Sequence, residues 1–217
     1  MNVIGMALEE LYKIFNILNE DKFNGELPEP VITIQKTRGR TLGHFTVDRV
    51  WVDKNNEEDE ETSYYEINVD PRWFNTRTPA DVAETLLHEM CHYYNKMNGI
   101  KDCSGNVHNK KFKSCAEKVG LIVEKGKGVG YGYTSMSEAL RAYMDEVVKP
   151  SDAAFEYFRT APVKASEGGE GNGRKKSTFK YTCPECGQEV KGKRDTTIKC
   201  GICDVVMKME DIDESED

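Results

Sequence analysis

The residues whose types and spacing most clearly suggest catalysis lie in the stretch LLHEMCHYY, which runs from Leu86 to Tyr94. His88 and His92 are four residues apart, so on an α-helix both imidazoles project from one face. Zinc binds several neutral imidazoles in a tetrahedral array, and this spacing supplies two of them from one element. Glu89 projects to the side, where it can take a proton from water without binding the metal itself. The stretch therefore predicts a catalytic metal site with Glu89 as general base.

The histidine pair lies in a segment that carries the signals of a well-capped helix. Thr78 can cap its start, Pro79 suits the first helical position, and Gly99 can end it. On a helical projection, most apolar residues of the segment lie on the side opposite His88 and His92. The two histidines are therefore not expected to be ordinary core residues, which favours the metal-site interpretation.

A hydrolytic zinc site usually has three protein ligands and one open position, so a third ligand is needed. The metzincin pattern is excluded because Asn95 and Asn98 stand where it requires glycine and histidine. Two histidines remain, His44 and His108. We prefer His108, which follows His92 after a loop and is predicted to begin the next helix. His44 lies in a predicted strand and stays open as the alternative.

A second metal site is predicted near the C-terminus by two Cys-x2-Cys pairs that are thirteen residues apart. The four cysteines are Cys183, Cys186, Cys200 and Cys203. Such knuckles direct four thiolates at one ion and form a closed structural zinc site. Disulfides or idle thiols are the alternative. We therefore expect two zinc ions per chain, one catalytic and one structural. Cys91, Cys103 and Cys115 lack this spacing and are expected to be core or loop thiols.

The region around the four cysteines is locally basic. Nine basic and four acidic residues lie between positions 174 and 208, although the whole chain has a net charge of −8. The loop KGKRD, with Phe179 and Tyr181 nearby, can meet phosphates and stack bases, which makes DNA a candidate partner through the ribbon. An ordinary solvated loop is the alternative, and the acidic C-terminus can compete with DNA for the loop.

The elements that must position these residues predict an α+β fold. An amphipathic helix is expected near Gly5–Asn19, and a last helix over Ser135–Val148. Strands are expected at Val31–Lys36, Thr41–Asp53 and Ser63–Asp70. The range Thr41–Asp53 can be one long strand or two strands joined at Asp48–Arg49.

The glycine-rich stretch GKGVGYGYTS, residues 126–135, is predicted to be a flexible loop. Tyr131 and Tyr133 in this stretch are candidate oxyanion donors, and packing aromatics are the alternative for both. No other donor can be named from the sequence.

Composition narrows the cellular setting. The net charge of −8 argues against bulk attraction to nucleic acid or to an anionic membrane. The N-terminus lacks the features of a signal peptide, and no apolar run is long enough to span a membrane. We expect an intracellular protein, cytoplasmic or nuclear in a eukaryote, that is a monomer. Thiols or metal ligands are then favoured over disulfides.

The chain resembles the SprT-like zinc metalloproteases, the group that includes Spartan. The resemblance runs from Leu8 to Leu121, through LYKIFNILNEDKFNGELPEPVI, GRTLGHF, INVDPRWF, HEMCHYYN and HNKKF, and resumes in the cysteine module. The resemblance implies that His88, His92 and His108 bind the catalytic zinc and that Glu89 is catalytic. The family usually has glycine after its third histidine, and Asn109 stands there, a residue type that tolerates left-handed backbone.

This resemblance implies a zincin-like core with a few-stranded antiparallel sheet packed on helices, and a C-terminal zinc ribbon. It also implies an endopeptidase that acts on DNA-associated or DNA-crosslinked proteins. The alternative is a nucleic-acid or transcription-associated zinc protein without protease activity. The expected segments are a SprT-like domain at 1–149, a flexible linker at 150–178, a zinc ribbon at 179–208 and an acidic tail at 209–217.

Overall fold

The computed structural model describes residues 2–53, 62–160 and 179–209. The acidic run at 57–61, most of the predicted linker and nearly all of the predicted acidic tail lie outside these residues. The chain divides into two compact units, Met1–Pro162 and Val163–Asp217. The structure is mixed α+β, as predicted. In the described ranges, no helix is both long and apolar enough to cross a membrane.

The described residues of the first unit form four α-helices, and polar side chains cap each start. They are α1 (Val3–Phe23), α2 (Pro79–Met97), α3 (Lys110–Lys118) and α4 (Glu138–Tyr143), the last continuing as a π-helical turn over Met144–Val148. Asn2, Thr78, Asn109 and Ser137 accept hydrogen bonds from the first-turn amides. Short 3-10 helices cover Pro71–Trp73 and Asp152–Ala154.

Within the ranges that the structure describes, nine strands belong to the first unit and three to the second. Those of the first unit are β1 (Val31–Ile34), β2 (Gly43–Phe45), β3 (Trp51–Asp53), β4 (Thr62–Tyr64), β5 (Glu66–Val69), β6 (Cys103–Ser104), β7 (Val107–His108), β8 (Leu121–Gly126) and β9 (Gly130–Met136). Those of the second are β10 (Phe179–Thr182), β11 (Glu189–Gly192) and β12 (Lys208–Met209). The predicted strand at 41–53 is thus two strands, β2 and β3.

The sheet that packs on α1 and α2, called the main sheet below, has the strand order β1-β5-β2 and is mixed, which corrects the antiparallel prediction. β5 pairs antiparallel with β2 but parallel with β1. The chain between β1 and β5 is long enough to return to the same end of the sheet, which a parallel pair requires. Leu11, Phe15 and Leu18 of α1 share one buried core with Ile67 of β5 and Leu87 of α2. This core fixes α2, which carries the histidine pair.

The glycine-rich stretch is a β-hairpin and not the predicted flexible loop. β8 and β9 pair antiparallel from Leu121↔Met136 to Glu124↔Tyr133, with a register shift before Gly126↔Gly130. The alternation of glycine with larger residues suits a strand, because one face stays clear while the other carries side chains. Gly130 also pairs with His108 of β7, so β9 runs directly beside that histidine.

Packed structure in the first unit continues beyond the predicted boundary at residue 149. Ala154 and Phe155 are buried in the core, and the Phe155 ring meets Phe74 edge-on with centroids 5.1 Å apart. The Arg159 amide donates to the carbonyl of Pro71. Residues 150–159 therefore pack as part of the first unit, because Ala154 and Phe155 extend its core.

The second unit is a small antiparallel sheet in the order β11-β10-β12. Its buried core consists of Tyr181, Met207, Cys183 and Cys200. Because a core of this size stabilises a fold only weakly, a bound metal would contribute much of the folding free energy.

Candidate metal centre

Three imidazole rings from two parts of the first unit converge through their Nε2 atoms. The Nε2 atom of His108 lies 3.3 Å from Nε2 of His88 and 3.0 Å from Nε2 of His92. One ligand atom from each of the three residues lies within 4.8 Å of the others, which is close enough for all three to bind one metal ion. The structure therefore brings together the three histidines that the sequence analysis preferred.

His108 reaches the pair from β7 and not from the start of the next helix. Asn109 follows it as the N-cap of α3, and its side chain accepts from the amides of Lys111 and Phe112. Asn109 has φ −102°, so this position needs no left-handed backbone and glycine is not required there. The cap fixes where α3 begins, which in turn fixes the strand that carries His108.

His44 does not join the cluster. It lies in β2 opposite Asn68, and its Nε2 atom is 3.7 Å from a carboxylate oxygen of Glu66. Its neighbour Gly43 is buried while His44 is exposed, because successive strand residues face opposite sides of a sheet. The register of β2 therefore turns His44 away from α2.

Each of the three rings is held by a contact at Nδ1. His92 Nδ1 lies 2.7 Å from Oδ2 of Asp102, and His108 Nδ1 lies 3.1 Å from the carbonyl of Val129. His88 Nδ1 lies 3.1 Å from the hydroxyl of Thr134. Such outer partners orient metal-ligating histidines and set their tautomers. Here they direct all three Nε2 atoms to one place.

The aromatic ring of Phe112 packs against all three histidine rings. Its ring centroid lies 4.4 Å from that of His92 and 4.6 Å from those of His88 and His108. Phe112 is completely buried. Its ring therefore restricts all three imidazoles and excludes water from behind them.

Glu89 lies next to β2 and is almost entirely buried. Burial raises the pKa of its carboxyl to about 7, although the nearby His92 and a hydrogen bond from the Phe45 amide oppose the shift. A Cβ at Gly43 would lie 3.3 Å from the Glu89 side chain and 2.8 Å from the carbonyl of Asn68. Glycine at position 43 thus lets the strand lie close to Glu89.

The histidines differ in how firmly they hold a proton. Burial, reinforced by the neighbouring imidazoles, puts the pKa of His88 well below its usual value, and burial also lowers that of His108. Burial is the largest single influence on His92 and alone would lower its pKa too, but hydrogen bonds with Asp102 and Cys103, together with the nearby carboxylates, raise that pKa to about 10. A metal ion would have to displace that proton if it is to bind His92.

The sequence model of the SprT-like family matches residues 11–129. The chain belongs to the SprT-like family. The match covers more than half of the 217 residues and includes all three clustered histidines and Glu89. SprT-like proteins are associated with zinc metalloprotease-like domains. No curated protein and no solved structure matches the chain.

The SprT-like chain has its second candidate metal site beyond the matched region, at the four cysteines. Their sulfur atoms lie within 4.8 Å of one another, with Cys186 Sγ 3.6 Å from Cys200 Sγ. Two equivalent turns build the site: the Gly187 amide donates to the carbonyl of Cys183, and the Asp204 amide to that of Cys200. Main-chain amides of Cys203 and Ile202 lower the pKa of the Cys200 thiol to about 7, which favours the thiolate that binds metal.

Both donor sets in this SprT-like chain fit zinc. Three imidazole nitrogens with their outer contacts are the donors of a zinc site that keeps one position open, and four thiolates are those of a closed site. The four cysteines are free thiols in the structure. Alkaline-earth ions prefer oxygen ligands and are not expected at either place.

Several residues of the histidine site were not found by the sequence analysis. Asp102, Thr134 and Phe112 all contact the histidines, and Glu84 contacts Thr134. No spacing rule marks these residues, because their contacts depend on how separate elements pack. Of these residues, only Phe112 has a signal in the sequence, because Phe112, Cys115 and Ala116 have the spacing of one apolar helical face.

Proposed function

We propose that this SprT-like chain is a zinc-dependent endopeptidase with a zincin-like core in its first unit and a zinc ribbon in its second. The observation that carries the proposal is the convergence of three Nε2 atoms, two from α2 and one from β7, together with the buried carboxyl of Glu89 next to His88 on α2. A purely structural zinc site usually has four protein ligands and would not need Glu89.

Different residues of the first unit would have different roles in amide hydrolysis. His88, His92 and His108 would hold the zinc through Nε2. When bound, the zinc would polarise the substrate carbonyl and lower the pKa of a water ligand. Asp102 accepts the Nδ1 proton of His92 and so keeps Nε2 of that ring free for the metal.

Glu89 is the proposed general base. Its carboxylate would take a proton from the attacking water and later pass it to the leaving amine. The pKa of about 7 in the metal-free protein lies near the operating pH, where a base is most effective. The positive charge of a bound metal would lower that pKa and keep the carboxylate ionised.

DNA is the proposed partner of the second unit, and DNA-associated or DNA-crosslinked proteins are the proposed substrates. The Arg194 guanidinium lies 5.2 Å from the centre of the Phe179 ring, which places a cation beside an aromatic face, as in single-strand binding surfaces. Ion pairs of Lys180 with Glu189 and of Lys199 with Asp204 offset part of the local positive charge.

Replacement of Glu89 by Gln tests the proposal. This variant should retain two zinc ions per chain but cleave a denatured protein at least about 100-fold more slowly, because only the proton acceptor is lost. Cleavage is measured by gel electrophoresis, with and without single-stranded DNA, and zinc by native mass spectrometry. Glu117→Gln, at a half-exposed glutamate outside the site, is the matched control and should cleave at the normal rate.

An unaltered chain that binds zinc and DNA but cleaves no protein under any of these conditions would contradict the proposal. That outcome would favour a nucleic-acid or transcription-associated protein whose metal sites are structural.

A further inference from the structure

The contact that holds His88 differs in kind from those that hold the other two histidines. The Asp102 carboxylate and the Val129 carbonyl can only accept a hydrogen bond, so Nδ1 of His92 and of His108 must donate one. The Thr134 hydroxyl can either donate or accept. Its contact with Nδ1 of His88 therefore does not by itself decide which nitrogen of that ring carries the proton.

Glu84 decides the direction of this hydrogen bond. The Thr134 hydroxyl lies 2.9 Å from Oε1 of Glu84 and donates to it. A hydroxyl has one proton, so Thr134 can only accept from His88. The proton of His88 must then lie on Nδ1, and the lone pair of Nε2 faces the other two histidines.

Arg77 anchors the far end of this chain of contacts. Its Nη2 atom lies 3.2 Å from Oε2 of Glu84 and donates to the main-chain carbonyl of Asp81 at 2.7 Å. Glu84 is 8% exposed, so this ion pair is shielded from water. The guanidinium leaves Oε1 of Glu84 as the acceptor for Thr134.

We propose that Glu84 and Thr134 are positioning residues that hold His88 in its Nδ1–H tautomer, so that Nε2 can bind the metal. The proposal rests on the proposed zinc site. The substitution Glu84→Gln keeps the shape of the side chain but introduces an NH2 group, which can donate to Thr134 while the amide oxygen accepts from Arg77. Thr134 can then donate to Nδ1, which favours the tautomer of His88 with its proton on Nε2 and so weakens metal binding there.

Zinc affinity of the full chain is the first test. Native mass spectrometry follows the loss of the histidine-site zinc as a chelator is added, and His88→Ala identifies which zinc is lost. Glu84→Gln and Thr134→Val should lose it at a chelator concentration about 10- to 100-fold lower than the unaltered chain does. Thr134→Ser keeps the hydroxyl and should behave like the unaltered chain.

Thr85→Val is the matched control for Thr134→Val. The Thr85 hydroxyl donates to the carbonyl of Asp81 within α2 and does not contact a histidine in the structure. This variant loses a comparable hydrogen bond but should keep its zinc. Equal zinc affinity in Glu84→Gln and the unaltered chain would overturn the proposal.

The tautomer of His88 gives a readout that does not depend on metal or on cleavage. Nitrogen-15 NMR of the metal-free full chain should show the Nδ1–H form of His88, and a shift to the Nε2–H form in Glu84→Gln. A ring that is Nε2–H in the unaltered chain, or that does not change in the variant, would refute the proposal. A chain without protease activity but with these tautomers would contradict only the proposed function.

Discussion

At the scale of single residues, the buried carboxylate of Asp70 just after the end of β5 is satisfied by hydrogen bonds. Asp70 is 1% exposed, and its carboxylate accepts from both the amide and the hydroxyl of Thr37 and from the Arg72 guanidinium. An unpaired buried carboxylate would cost several kcal/mol, so these partners make its burial tolerable. The contacts tie the segment after β1 to the 3-10 helix after β5.

Asp70 should therefore contribute stability that depends on pH. Burial alone would raise its pKa, but the hydrogen bonds from Arg72 and Thr37 lower it to about 2, from 3.8. The contribution is fully present above pH 4, amounts to about 2 kcal/mol, and is lost as pH falls towards 2. In urea unfolding, Asp70→Asn should be less stable than the unaltered chain by about that amount at pH 7.

The difference in unfolding free energy between Asp70→Asn and the unaltered chain should shrink between pH 4 and pH 2. Asp145→Asn replaces an exposed aspartate and should change the unfolding free energy little at any pH. A difference for Asp70→Asn that stays constant down to pH 2 would mean that this carboxylate does not titrate as described.

At the scale of elements, the β8–β9 hairpin is part of the histidine site. It supplies Thr134 to His88 and Val129 to His108, and it pairs with β7 through Gly130. A Cβ at Gly132 would lie 2.6 Å from Nδ1 of His108. The alternating glycines thus make room for an imidazole beside the strand.

Gly132→Ala should disturb the histidine site more than the fold. The added methyl group must displace His108 or the strand, at a cost of about 1–3 kcal/mol, and zinc bound at the histidines should be weakened. Gly128→Ala is the control: its Cβ would meet nothing within 4 Å, but its φ of +80° makes the substitution strained. It should lower the melting temperature while leaving the histidine-site zinc in place, as native mass spectrometry can show. Unchanged zinc affinity in Gly132→Ala would show that the β8–β9 hairpin does not position His108 for metal binding.

At the scale of the whole molecule, the two candidate metal sites belong to different compact units. The histidine site and its partners lie within Met1–Pro162, and the four cysteines lie within Val163–Asp217. Because the second unit has only a small buried core, we expect its fold to depend on a bound metal, whereas the first unit has an extensive core of its own. Loss of one zinc should therefore leave the other in place.

The double substitution Cys183→Ser, Cys186→Ser tests this independence in the full chain. It should remove one zinc and unfold the second unit, but leave the thermal transition of the first unit and the histidine-site zinc unchanged. Binding to a fluorescent single-stranded oligonucleotide should fall at least about tenfold if the ribbon is the DNA contact. Undiminished DNA binding would place that contact elsewhere, and loss of both zinc ions would show that the units depend on each other.

The sequence by itself determined the features that depend on neighbouring residues in the chain. The spacing of His88 and His92, the cap at Thr78 and the two Cys-x2-Cys turns are all short-range, so the periodicity of a helix or the geometry of a turn is enough to predict them. The α+β class and the SprT-like family followed from the same local patterns, and both are confirmed.

Only the tertiary structure decided how distant residues meet. Thr134 is 46 residues from His88, and its contact depends on a hairpin that the glycine pattern had predicted to be a loop. The placement of His108 rather than His44 at the pair depends on strand register, which a shift of one residue would reverse. Such contacts arise from the packing of whole elements, and no local pattern in the chain specifies them.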